Sequence, residues 1–282
     1  MTENKLLELK RTACRVRRGV IDATHGAKSG HPGGSLGASD IMTALYFAEM
    51  NIDPARPAMP ERDRFVLSKG HNAPCLYSAL ANRGFFPVSD LLALRAQGSH
   101  LQGHPSMRST PGVDMSTGSL GQGVSAACGM ALAAKVKGET HRVYTLLGDG
   151  EIAEGQCWEA FMFAAHHKLD NLCVIIDVNG LQIDGRTQDV MDSAPLDKKM
   201  AAFGFGVLDI DGNDFGQLED AFAKARAVTG KPSCVLARTV KGKGVSFMEG
   251  QASWHGKAPN DAEYEKAASE LDAALKSLGG DL

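Results

Sequence analysis

Two apolar runs in this chain end on an oxygen-bearing residue followed by glycine. Val143–Leu147 (VYTLL) leads into Gly148-Asp149-Gly150, and Leu172–Asp177 (LCVIID) leads into Val178-Asn179-Gly180. A strand that is apolar at nearly every position, rather than at alternate ones, must be covered on both faces. Such strands alternate here with helix-length segments, which predicts an α/β fold: a mostly parallel sheet with helices on both faces. Ligands of open α/β sheets gather at the carboxyl ends of the strands. If the two runs are neighbours, their tips meet there. A carboxylate, an amide oxygen and a nearby main-chain carbonyl form a hard-oxygen set suited to Mg²⁺ or Ca²⁺. One carboxylate is too few for an all-protein cage, so the expected ligand is a metal-bound diphosphate, with Gly148 and Gly150 letting the backbone approach it.

The remaining elements follow from periodicity. Apolar spacing predicts a first helix over 5–24, a second over 41–50, a third over 73–83 and a short one near 91–95 with Ser89 as its N-cap. The segment KSGHPGGSLGASD reads as a Gly/Ser-rich break between the first two. Further strands are expected over 64–68, 206–210 and 233–238. Further helices are expected over 124–135, 158–167, 218–227 and 267–275. Residues 115–134 carry no charge over a membrane-spanning length, but their Ser, Thr, Gln and Gly content predicts a buried loop and helix. No composition break divides the chain, so residues 1–282 are expected to form one domain with a short C-terminal extension after about 260. A net charge of −3 provides no global basic field for nucleic acid or an anionic membrane. The six cysteines are scattered without a CxxC pair, which suggests free buried thiols in a reducing, cytoplasmic setting.

Histidines supply the second signal. His31 (SGHPGG), His71 (SKGHNAP), His104 (QGHPS) and His255 (SWHGKAP) all lie in glycine-bearing loops. Histidine is the side chain best poised for proton transfer near neutral pH. The turn Gly118-Ser119-Leu120 before a helix can cradle phosphate with main-chain N–H groups, and Lys241 and Lys243 in VKGKG can reach one. No GxGxxG and no Walker lysine accompanies them, which argues against a nucleotide-binding oxidoreductase.

The run GDGEIAEGQCWEAFMFAAHHKLDNLCVIIDVNG resembles the thiamine diphosphate signature, a GDG followed by an Asn about thirty residues later. SGHPGGSLGASDIM, DRFVLSKGHNAPCLY, DMSTGSLGQG and SWHGKAP are similar, in order, to segments of transketolase, so that the likeness runs over residues 10–260. The resemblance implies the thiamine diphosphate-binding fold. It makes Asp149 and Asn179 side-chain ligands of Mg²⁺ (Ca²⁺ or Mn²⁺ as substitutes), with the Leu181 carbonyl as the third protein ligand. It makes Gly150 and the Gly118-Ser119-Leu120 turn cofactor contacts. It places His71 and Lys241 on the diphosphate, and His31, His104 and His255 at the donor sugar and the covalent intermediate. Glu154 corresponds to an interfacial acid linking paired cofactor sites. Position 34, a cofactor-contacting Ser in some relatives, is Gly34 here, and that contact is not carried over.

Transketolases are usually more than twice this long. The resemblance covers only the diphosphate-binding part. The Glu that activates the cofactor through its aminopyrimidine ring, and the Arg residues that bind sugar phosphates, have no counterpart in this sequence. The implied protein is the N-terminal subunit of a split transketolase. It transfers a two-carbon ketol unit from a ketose to an aldose with a second chain that carries the pyrimidine-binding and C-terminal domains, in an α₂β₂ hetero-oligomer. Similar halves of a 1-deoxyxylulose-5-phosphate synthase or a dihydroxyacetone synthase are the alternatives, although WHGKAP and GSLGQG look more like transketolase.

Overall fold

The computed structural model describes residues 1–281. In chain order its helices are α1 (Glu3–Gly26), α2 (Pro32–Gly37), α3 (Ser39–Ala44), α4 (Ala73–Arg83), α5 (Gln122–Lys137), α6 (Gly155–His166), α7 (Thr187–Val190), α8 (Leu196–Ala202), α9 (Phe215–Ala227) and α10 (Asp261–Ser277). The strands are β1 (Arg64–Leu67), β2 (Val143–Gly148), β3 (Leu172–Val178), β4 (Leu181–Gln182), β5 (Gly185–Arg186), β6 (Gly206–Asp211) and β7 (Ser233–Arg238). Five of them form one parallel sheet in the order β1-β2-β3-β7-β6, while β4 and β5 make a small antiparallel hairpin just beyond β3.

The twofold alternation of strand side chains explains the continuous apolar runs. Phe65, Leu67, Tyr144, Leu146, Cys173, Ile175 and Val235 point into one core, which also holds α1, α4 and α9. Val66, Val143, Leu147, Val174, Ile176 and Leu236 point into the other, filled by residues of α5, α6 and α8. Both sheet faces are therefore covered, as the runs require. β6 is an edge strand, and its exposed Asp209 is held by Arg238 of β7 through two hydrogen bonds, 2.8 and 2.7 Å.

The structure corrects three local expectations. The Gly/Ser-rich segment is not a break, because residues 32–37 form α2. Pro32 occupies its first position, where a missing N–H costs nothing, and every residue of this helix is buried. The helix expected over 41–50 is instead α3 followed by a wider π turn at Leu45–Glu49. The element near Leu91 is a 3₁₀ turn, Val88–Ala93, with Pro87 rather than Ser89 at its cap. Residues 115–134 divide into loop and α5. Among the described residues no helix is long and apolar enough to cross a membrane. All six cysteines are free, and all but Cys14 are buried.

Candidate active site

Four parallel strands deliver their C-terminal ends to one place. β1 runs into Ser68-Lys69-Gly70-His71, β2 into Asp149, β3 into Asn179, and β7 into the loop bearing Lys241. These strand ends line a cavity of about 260 Å³, closed on another side by His31 and Gly34 of the α2 entry and by His255.

The two strand tips meet, as their spacing predicts. β2 and β3 pair with Gly148 opposite Asp177. The Asp149 carboxylate accepts hydrogen bonds from the Gly150 N–H (2.9 Å) and, across the strand boundary, from the Gly180 N–H (2.6 Å). The Asn179 amide nitrogen donates to Asp177 (3.0 Å), and its oxygen accepts from the Leu181 N–H (3.1 Å). Anchoring the nitrogen on a carboxylate fixes which end of this amide is the acceptor. Burial and the neighbouring Asp177 raise the Asp149 carboxyl to about 6. A buried carboxylate in that condition is short of positive charge, which a divalent cation supplies. The Asp149 carboxylate and the Asn179 amide oxygen thus offer such an ion hard-oxygen donors at one place.

Asp177 itself is fully buried and takes an ion pair from Lys69 and a hydrogen bond from the Thr239 hydroxyl. The periodicity of β3 points to neither partner, and this lysine lies 108 residues away in sequence. Glu151, also buried, accepts from the Ser68 hydroxyl (2.5 Å), the Gly121 N–H (2.9 Å) and the Gly148 N–H (3.1 Å). It ties the β1 end, the glycine turn and the β2 end together.

His31, His71 and His255 form a triangle, with ring centroids 5.1 to 5.4 Å apart. Burial, then the surrounding cations, lower the His31 and His255 imidazoles to about 4 and hold His71 well below the ordinary histidine value. All three are neutral at physiological pH. Lys241 is buried and donates to Nδ1 of His255 at 2.9 Å. Nδ1 is therefore the acceptor and the His255 proton sits on Nε2. Burial, then Lys69, lower the Lys241 ammonium to about 8.

Of the other residues singled out in the sequence, Gly118, Leu120, Gly150 and Leu181 line the cavity. His104 is solvent-exposed but lies against Gly118: a Cβ built there would come within 3.0 Å of its ring. Ser119 and Glu154 are exposed and do not line the cavity. Lys243 faces Glu249 at 3.8 Å instead of entering it. Sequence reasoning missed the cavity residues Lys69 and Asn72, which stand in the SKGHNAP motif where His71 alone was singled out, and Gln182, which has no glycine or histidine beside it.

Known proteins share this sequence and fold. The family described as transketolase, thiamine diphosphate binding domain, matches residues 9–275. The 6-deoxy-6-sulfo-D-fructose transketolase subunit SqwG of Clostridium sp. (strain MSTE9) is 45% identical over 272 residues, covering 96% of this chain and 98% of that protein. An apulose-4-phosphate transketolase subunit of Actinobacillus succinogenes is 43% identical over 265 residues, 94% of this chain and 96% of that one. The solved transketolase of Leishmania mexicana superposes with a TM-score of 0.87 at 34% identity, covering 97% of this chain but 41% of the longer one. The chain thus spans about two fifths of that transketolase and nearly the whole of the two separate subunits. It belongs to the transketolase family, of which it is the thiamine diphosphate-binding part.

Proposed function

We propose that this chain is the cofactor-holding subunit of a two-chain transketolase, which moves a two-carbon ketol unit from a ketose to an aldose. The observation that carries this reading is the cavity itself. Paired strand-tip oxygens, a buried ammonium at Lys241 and three neutral imidazoles converge at one sheet edge. When bound, thiamine diphosphate supplies a carbon nucleophile and a sink for the electrons released as the ketose carbon–carbon bond breaks. Asp149, Asn179 and the Leu181 carbonyl would hold Mg²⁺, with Ca²⁺ or Mn²⁺ as substitutes, and through it the diphosphate. Lys241 and His71 would meet the diphosphate directly, alongside the Gly118–Leu120 turn and Gly150.

The histidines have a separate task. His255 lines the cavity with Nδ1 engaged by Lys241, which leaves its proton on Nε2. It can donate to a substrate oxygen as negative charge develops there. His31, neutral, can accept a hydroxyl proton or steady a hydroxyl group, and exposed His104 serves the outer part of the sugar. The low basicity of these rings keeps them uncharged beside a cofactor whose thiazolium ring would be cationic.

The pyrimidine end of the cofactor and the phosphate end of a sugar need groups from a second chain. Such a chain, carrying pyrimidine-binding and C-terminal domains, completes an α₂β₂ assembly in which Glu154 lies at an interface between chains, in the cytoplasm. The test is ketol transfer from ketose phosphates and from sulfonated or branched ketoses, assayed with the chain alone and with its co-expressed partner. Turnover is expected only for the pair; full turnover by the chain alone would refute the divided site.

A further inference from the structure

Asn72 is fully buried at the N-cap of α4, yet neither its amide nitrogen nor its amide oxygen has a hydrogen-bond partner among the described residues. An N-cap asparagine ordinarily accepts from the N–H at the second or third helical position. Pro74 at the second has no N–H, and the side chain does not cap the third. It packs instead on Gly34. A Cβ built at Gly34 would lie 2.8 Å from the Asn72 amide oxygen and 3.0 Å from its nitrogen. The amide thus fills the volume that any side chain at position 34 would need. Both residues line the cavity beside His71. Leaving a buried donor and a buried acceptor unmet is unfavourable, and few native groups are left so. A partner arriving with a ligand removes that penalty.

We infer that Asn72 is a further cofactor-binding residue, its Nδ2 donating to the diphosphate of thiamine diphosphate and its Oδ1 accepting from water or a hydroxyl that enters with it. This rests on the reading of the cavity as the cofactor site. A neutral amide complements Lys241 there: it adds a directed hydrogen bond to an anion that already has its counter-charges, without further like-charge repulsion among the cations.

The chain purified with its partner is titrated calorimetrically with thiamine diphosphate and Mg²⁺, as wild type, Asn72→Leu and Asn72→Asp. Thermal unfolding of each is followed without cofactor. Leucine keeps the volume and removes both unmet atoms. The cofactor-free Asn72→Leu protein should therefore melt no lower than wild type, while its Kd weakens roughly 10- to 100-fold. Aspartate, which turns a negative charge on the diphosphate, should weaken binding further. If leucine does not fold, Asn72→Ala gives the same comparison with the same expected signs for affinity. A wild-type Kd in the apolar variant overturns the assignment. So does a loss of affinity matched by a fall in cofactor-free melting temperature, which marks a structural role. Failure of wild type to bind overturns the cofactor reading of the cavity and this assignment with it, whereas wild-type binding with unaffected variants overturns Asn72 alone.

Discussion

The Lys241 ammonium donates to Nδ1 of His255 across 2.9 Å, from a loop after β7 to a loop fourteen residues further on. One bond thereby sets a tautomer and positions a cation over a cavity, and the Lys241 charge adds to the burial that lowers the basicity of the imidazole. Lys241→Met should release all three. Cofactor affinity is expected to fall roughly 10- to 100-fold with loss of a charge-assisted contact. The His255 ring should at the same time become more basic, seen by ¹⁵N NMR titration of the imidazole. An unshifted ring would mean that Lys241 does not control it.

The lowered Lys241 ammonium also predicts proton linkage in binding. Below about pH 8 it already carries its charge. Above about pH 8 it is neutral in the free protein, and an incoming diphosphate draws a proton back onto it. Calorimetry in buffers of different ionisation enthalpy should therefore show proton uptake on cofactor binding at pH 9 and much less at pH 7. The uptake should vanish in Lys241→Met.

His31 and His255 make a prediction on stability. Both are lowered to about 4 from an ordinary value of 6.5. Between those limits the unfolded chain binds more protons than the folded one, so stability rises with pH across the window and is lost on acidification. Urea unfolding at pH 4.5, 5.5 and 7 should show that slope. Replacing both histidines by Gln should reduce it, with His71 keeping part of the slope, and an unchanged slope would place the titration elsewhere.

The Asp149 carboxyl has the opposite sign. Raised to about 6, it holds a proton in the folded protein where the unfolded chain has lost it, so its contribution to stability declines as pH rises through that range without a cation. Asp149→Asn should therefore leave the cofactor-free protein at least as stable at pH 7. It should also abolish the Mg²⁺ dependence of cofactor binding. Retained Mg²⁺ dependence would refute the ligand assignment.

Lys69 and Asp177 form an ion pair with both side chains almost completely buried. Removing one partner strands a charge, so Lys69→Met should cost about 3–5 kcal/mol in urea unfolding. The double variant Lys69→Met/Asp177→Leu should recover much of this. A loss in the double variant equal to the sum of the losses in Lys69→Met and Asp177→Leu alone would show that the pair is not coupled.

Much of this protein is written in local pattern. Helix 73–83 and strand 233–238 have the bounds that periodicity predicts, because each is bracketed by turn residues and by an unambiguous apolar period. Asp149 and Asn179 could be paired from sequence since strand tips of a parallel sheet share one edge, and adjacency of β2 and β3 is the commonest outcome for consecutive strands. The glycine context of His31, His71 and His255 marked them as loop residues able to approach a ligand. Tertiary structure alone decided the rest. Burial made a helix of Pro32–Gly37, whose composition reads as a break. Folding across 108 residues joined Lys69 to Asp177, and no local signal records a partner chosen by distance in space. It likewise separated Lys241, inside the cavity, from Lys243, outside it, although both stand in the same five-residue motif. Periodicity reports which face a side chain takes; which other face it meets depends on how the elements pack.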